Sequence, residues 1–231
     1  MSRSKAGKIF LIAFVVYCAA MPQKIPPEEL VPNASIRIPI WIFPAILTIA
    51  WLLEGFKADA LQIRRTNICL ALSGALIPFV IALLLGFQLE YLTPFAIGVV
   101  MMAGFMFKLS KPDFLRGNIR FKLSYALTIS YGVAALAALL MKGTTDIAFN
   151  IQFLAPLAGA VGTVGILIGN IATGLELLSQ ASTPATFKQK IILGSDGVRD
   201  VLWAPLFVAV LLFTVPELYW KLQALLPLIP R

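Results

Sequence analysis

The chain has 231 residues, of which 59% are hydrophobic and only 13% are charged, and its mean hydropathy is +0.89. Since soluble domains carry about 25% charged residues, this composition argues against a water-soluble protein and predicts one transmembrane domain over residues 1–231. The net charge of +8 needs no nucleic-acid partner to explain it, because multispanning proteins collect Lys and Arg on their cytoplasmic side.

Seven apolar stretches predict an all-α, polytopic integral membrane protein with about seven transmembrane helices. The first stretch, Ile9–Met21, follows a basic N-terminus and fits either a cleaved signal peptide or a retained first helix. A proline-rich connector separates it from the second stretch, Ile38–Leu53. The third and fourth stretches, Ile68–Phe87 and Tyr91–Phe107, are joined by three residues, which predicts an antiparallel helical hairpin.

The second half of the chain supplies three further stretches of spanning length. The fifth is Leu123–Met141, and the sixth is Ile151–Ile171, which can extend to Leu178. The seventh is Val201–Val215. The apolar tail that follows is short and broken by proline, so we expect it to lie at the membrane interface and not to span.

The loop before the seventh stretch carries an amphipathic pattern. Residues 184–193 combine apolar and lysine positions, which fits either a short cytoplasmic amphipathic helix on the membrane face or a solvated turn. We expect Gly194 to end this segment. Ser195 and Asp196 are then placed to cap the seventh helix.

Positive charge alternates between the loops and predicts the orientation of the chain. Fourteen of the 19 Lys and Arg residues fall on one side of the predicted topology. By the positive-inside rule that side is cytoplasmic, so the N-terminus is inside and the C-terminus is outside. We expect an integral protein of a bacterial-type cytoplasmic (inner) membrane, in contact with the lipid bilayer.

The sixth stretch is rich in small residues at helical spacing. Such residues let two helix backbones approach closely. They fit a packing helix within one protomer, an oligomer interface, or a close-packed gating helix. The residues concerned are Ala158, Gly159, Gly162, Gly165 and Gly169.

Two polar residues follow at the predicted cytoplasmic end of the same helix. Asn170 and Glu176 form a candidate pore or polar site, since polar residues in a span are often functional. The alternative is a helix–helix hydrogen bond made by Asn170 and an interfacial carboxylate at Glu176. No ionisable residue falls at the middle of a predicted span, which argues against ion-coupled transport.

Four arginines of the basic loops are candidate contacts for a partner protein or for anionic lipid. They are Arg64, Arg65, Arg116 and Arg120. The chain has no histidine, which excludes His-based metal, haem and general-base sites. We expect no metal, no cofactor and no catalytic residue set.

These patterns favour a multispanning inner-membrane subunit that assembles with itself or with a membrane-protein partner in a scaffold or anchor role. The alternative is a passive channel or small-solute permease gated by the glycine-rich helix 151–174. A weaker alternative is a lipid- or glycan-modifying enzyme. It needs a carboxylate and an arginine at an interface, such as Glu54 with Arg64 or Glu176 with Arg199.

Overall fold

In the computed structural model of the chain, the described residues are 49, 61–63, 66–88, 92–113, 118–120, 122–141, 151–180, 191–196 and 200–212. The first two predicted spans therefore lie outside the described residues, apart from Ile49. The described part is mostly helical and contains five short strands as well.

Five α-helices follow one another along the described chain. The first is preceded by a π-helical turn at Leu72–Leu76 and the last by a 3₁₀ turn at Val201–Trp203. The helices are α1 (Ile77–Gln88), α2 (Leu92–Leu109), α3 (Leu123–Leu140), α4 (Ile151–Gln180) and α5 (204–212).

Three helices are long and apolar enough to cross a membrane: Leu92–Leu109, Leu123–Leu140 and Leu154–Ser179. They correspond to predicted spans four, five and six. Two other apolar helices, Leu72–Phe87 and Val201–Leu212, are shorter than 18 residues. The predicted length of span three is therefore wrong, and the described part of span seven is too short to cross by itself.

The all-α prediction did not include the five short strands. They lie in the segments before and between the helices. Strand β2 lies between β1 and β5, antiparallel to β1 and parallel to β5, with Ile68 opposite Ile191. Strands β3 and β4 form a separate antiparallel hairpin. The five strands are β1 (Leu61–Gln62), β2 (Ile68–Leu70), β3 (Lys111–Asp113), β4 (Asn118–Arg120) and β5 (Ile191–Leu193).

Two sequence predictions change because of this sheet. Ile68–Leu70 is a buried strand and not the start of a helix, because its backbone pairs with β5. Ile191–Leu193 is also a strand, so a helix over residues 184–193 would have to end before Ile191. Residues 184–190 lie outside the described residues. Gly194 does end the segment with a positive φ of 78°, but the element that it ends is a strand.

Helix α4 is the centre of the bundle. Its membrane-length window is 78% buried, whereas those of α2 and α3 are 33% buried. Residues of α1, α2, α3 and α5 share one hydrophobic core with it. At 1.5 Å per residue its 30 residues are about 45 Å long, which exceeds the ~30 Å hydrocarbon core of a bilayer. Its last turns therefore reach the strands.

Candidate functional site

The glycines of α4 that face α2 bring the two backbones into close contact. A Cβ added at Gly165 would lie 2.5 Å from Met102 Cβ. One added at Gly169 would meet Met106 Cβ and lie 2.8 Å from the carbonyl oxygen of Ala103. Both methionines are fully buried. The two glycines therefore act as notches that receive the methionine side chains of α2.

Helices α2 and α4 run in the same direction. Gly98 lies opposite Val161, and the contacts of Gly165 and Gly169 follow at intervals of four residues along both helices. A Cβ on Gly98 would be 2.8 Å from Val161 Cγ2. Both helices thus contribute glycines to this contact: α2 contributes Gly98 at the first level, and α4 contributes Gly165 and Gly169 at the next two.

The other small residues of α4 face α5 and α3. A Cβ on Gly159 would be 2.9 Å from Ala209 Cβ, and one on Gly162 would be 2.8 Å from Pro205 Cβ and 2.6 Å from Ser130 Oγ. Ala158, which belongs to the same predicted set, is fully buried. The contacts described for Gly159, Gly162, Gly165 and Gly169 are with helices α2, α3 and α5 of the same chain.

Asn170 lies in a buried hydrogen bond between α4 and the end of α2. Its Oδ1 accepts from Ser110 Oγ at 2.9 Å, and its side chain is 4% exposed. One turn and a half further on, Glu176 is exposed. The geometry separates the two members of the predicted polar site, since one faces α2 and the other faces outward.

Three further buried hydroxyls on α3 and α4 also have partners. Thr163 Oγ1 donates to the carbonyl oxygen of Leu202 at 2.9 Å and so joins α4 to the turn before α5. Ser130 donates to the Ala126 carbonyl and Thr173 to the Gly169 carbonyl within their own helices. In the described part of the chain, Tyr131 Oη is the one buried side-chain oxygen or nitrogen without a partner. Two of these buried hydrogen bonds, from Ser110 to Asn170 and from Thr163 to Leu202, join α4 to neighbouring elements.

Charge is confined to one end of the described structure. Every charged residue among those described belongs to the strands, to their adjoining turns, or to a helix end beside them. We call this region the charged end. Its members are Lys108, Lys111, Asp113, Arg120, Lys122, Glu176, Asp196 and Asp200.

Two lysines of the charged end lie over aromatic rings of their own helices. Lys108 Nζ is 5.6 Å from the ring centroid of Phe107, at the end of α2. Lys122 Nζ is 5.5 Å from that of Tyr125, at the start of α3. Both distances are within the range of a cation–π interaction. Both lysines remain exposed, so each ammonium can still meet an anion.

The four arginines predicted as partner or lipid contacts are only partly within the described structure. Arg64, Arg65 and Arg116 lie outside the described residues. Arg120 is the last residue of β4 and is the cross-strand partner of Lys111. The two carboxylate–arginine pairs suggested for an enzyme each include a residue outside the described part of the chain.

A glycine pair that the sequence analysis overlooked joins the charged end to α1. The backbones of Gly74 and Gly194 are in direct contact: a Cβ on Gly194 would lie 2.5 Å from Ala75 N. Trp203 Nε1 donates to the Ser73 carbonyl oxygen at 2.9 Å beside this contact. Gly194 could be suspected from its place after an apolar run, whereas Gly74 is hidden within one.

Asp200, and neither Ser195 nor Asp196, caps the turn before α5. Its carboxylate accepts from Leu202 N at 3.2 Å. Burial raises the pKa of Asp200 to about 6, and repulsion from Asp196 adds to the shift, while the hydrogen bond from Leu202 N opposes it. Ser195 and Asp196 lie in the exposed turn that follows β5.

The described residues form no candidate metal site, and comparison with known proteins assigns no family. Among the described residues, no group of three or more His, Cys, Asp or Glu side chains is placed to hold a metal ion. No protein-family model matches the chain, and no curated protein or solved structure is detectably similar to it.

Proposed function

We propose that the chain is an integral subunit of a bacterial-type inner-membrane complex, where it holds a partner protein or a second copy of itself. In this proposal it has seven spans and an N-terminus in the cytoplasm, and the charged end faces the cytoplasm. The role is that of a scaffold or anchor. The three apolar helices of membrane-crossing length support the membrane location.

The observation that carries the proposal is the environment of α4. In a channel, Gly165, Gly169 and Asn170 would line or gate the path. Both glycines instead contact α2 at distances that leave no room for a side chain, and Asn170 bonds to Ser110. A central helix filled in this way supports a structural role more than a path for solutes.

The surface that we assign to the partner is the exposed strand at the edge of the three-stranded sheet. Strand β1 forms that edge, and Leu61 is 60% exposed. Leu61 belongs to the charged end by position and not to the apolar surface of a spanning helix. An exposed strand edge with an apolar side chain is a common docking feature for another chain.

Site-specific photo-crosslinking in intact membranes tests this assignment. A photoreactive residue replaces Leu61 in one variant and Val100, which is 73% exposed near the middle of α2, in the other. We expect the Leu61 variant to form an adduct with a second protein, or with another copy of the chain, and the Val100 variant to label lipid only. The adducts are resolved by mass after purification in mild detergent.

Other crosslinking results would contradict the subunit role or the assigned surface. A protein adduct from neither position would contradict the subunit role, and equal adducts from both would contradict the surface. Solute flux through liposomes containing the purified chain would favour the permease instead, provided that Asn170→Leu abolishes the flux and leaves the oligomeric state unchanged.

A further inference from the structure

The connection between α2 and α3 gathers four cations where the chain leaves one helix and enters the next. We define the hairpin base as Lys108, Lys111, Arg120 and Lys122. We propose that the hairpin base binds the phosphate headgroup of an anionic phospholipid. This inference rests on the proposed membrane location and is independent of any protein partner.

The position of the hairpin base relative to the helices matches the headgroup level. Helix α2 ends at Leu109 and α3 begins at Leu123, so each of the four cations lies within three residues of a helix end. Both helices are long enough to cross the hydrocarbon core. Their ends therefore lie where lipid phosphates lie.

The register of the β3–β4 hairpin brings two of these cations together. Lys111 and Arg120 are direct cross-strand partners, and they form the pair nearest to the two helices. Like charges at directly opposed positions destabilise a strand pair. An anionic phosphate at this register position offsets the repulsion.

The lysines on the helix ends add to the same anion site. Lys108, Lys111 and Lys122 are exposed, and within the described part of the chain none of them forms an ion pair. The rings of Phe107 and Tyr125 hold two of the ammonium groups at the helix ends without neutralising them.

Apolar residues beside the cations favour a lipid over an acidic protein or a free phosphate ion. Leu109 is 42% exposed, Leu123 is 55% exposed and Tyr125 is 50% exposed. A phospholipid satisfies both parts of this surface at once, with its phosphate on the cations and its acyl chains along the leucines. A hydrated acidic peptide would leave the leucines without an apolar partner.

Lipid selectivity of the purified full-length chain provides the test. The chain is reconstituted in phosphatidylcholine vesicles that contain spin-labelled phosphatidylglycerol or spin-labelled phosphatidylcholine. The motionally restricted fraction of each label gives the selectivity for the anionic lipid. The test variant carries Lys108→Gln, Lys111→Gln, Arg120→Gln and Lys122→Gln. The matched control carries Lys57→Gln, Lys188→Gln, Lys190→Gln and Arg199→Gln, which removes the same charge elsewhere.

We expect the native chain and the control to prefer phosphatidylglycerol about fivefold or more, and the test variant to show a ratio near one, since each cation near an anionic surface contributes about fivefold. Equal loss of selectivity in both variants would overturn the site in favour of a net-charge effect. No selectivity in the native chain would overturn it outright.

Two further measurements keep the result interpretable. Inorganic phosphate at constant ionic strength should leave the restricted phosphatidylglycerol fraction unchanged, and displacement of the lipid would overturn the lipid as ligand. Lys122→Gln alone should reduce the selectivity about twofold or more even if the fourfold variant fails to fold, and an unchanged ratio would count against the site. A chain with no restricted lipid of either kind would instead contradict the membrane location.

Discussion

The contact of Gly98 on α2 with Val161 on α4 and the contact of Gly74, in the π-helical turn before α1, with the turn after β5 both depend on glycine, but they differ in what the glycine meets. Gly98 lies against the side-chain methyl groups of Val161. Gly74 lies against the backbone of Gly194, and each of these two residues occupies the space in which the other would place a Cβ.

The difference predicts how each contact responds to added volume. A side chain can be shortened or can change rotamer, so a second substitution, at Val161, can restore the contact with residue 98. A peptide group has no such freedom, and Gly194 also has a positive φ that side chains disfavour. The contact between Gly74 and Gly194 is therefore more rigid than the contact between Gly98 and Val161.

The largest effect is expected for Gly74→Ala. Its Cβ would fall on the Gly194 carbonyl oxygen, so either the π-helical turn or the strand β5 must move. We expect a loss of about 3 kcal/mol or more in the free energy of unfolding. The measurement is unfolding by sodium dodecyl sulfate in mixed micelles.

Gly132→Ala is the matched control for that variant, because no atom other than the adjoining residues and backbone of its own helix lies within 4 Å of the position of its added Cβ. It should be neutral or stabilising by up to about 1 kcal/mol, since alanine favours a helix more than glycine does. Similar destabilisation by both substitutions would show that the Gly74 contact has no special importance.

A smaller effect is expected for Gly98→Ala, at about 1–3 kcal/mol, because Val161 Cγ2 would lie 2.8 Å from the new Cβ. Val161→Ala in the same chain should recover at least about 1 kcal/mol of this loss. A double-mutant cycle measured by the same unfolding assay gives the coupling energy. Additive losses would contradict the distinction drawn between the two contacts.

The effect expected for Asp200→Asn concerns the pH dependence of stability. Because the pKa of the folded carboxyl is about 6 against an ordinary value of 3.8, the folded chain keeps a proton between about pH 4 and 6 that the unfolded chain has released. Native stability should therefore fall as pH rises through this window, by up to about 3 kcal/mol at about 1.36 kcal/mol per pKa unit, and then level off.

The asparagine variant should lose that decline, since its amide oxygen can still accept from Leu202 N and has no charge to bury. Thermal unfolding at pH 4, 5, 6 and 7 measures the change. Asp196→Asn is the control and should only weaken the decline, because repulsion from Asp196 is a smaller cause of the shift than burial. A pH-independent native chain would contradict the argument.

The sequence predicts the long helices well because their signal is local. The apolar runs predict α2 and α3 to within about two residues of their observed ends, and α4 continues only to Gln180 beyond the predicted limit at Leu178. The strands could not be predicted, since each has two or three residues and is too short for an alternating pattern. Strand β2 pairs with β5 across more than 100 residues of chain.

In the candidate site, too, local features could be predicted from the sequence and long-range contacts could not. The glycines of α4 stand out by their spacing alone, but their assignment to α2 or to α5 depends on how the helices pack. From the sequence alone, Lys108 and Lys122 indicate only the positive charge of their loop. Their place on either side of the β3–β4 hairpin depends on the fold, and the register of Lys111 with Arg120 depends on the turn between β3 and β4.

The parallel arrangement of α2 and α4 has a consequence for the order in which the chain is assembled. Two parallel spans cannot enter a bilayer as one hairpin, because α3 must first cross between them. Until the ribosome has delivered residues 151–180, Met102 and Met106 have no glycine notch to enter. In the proposed membrane topology, the contacts of Met102 and Met106 with Gly165 and Gly169 can form only after α4 has been made.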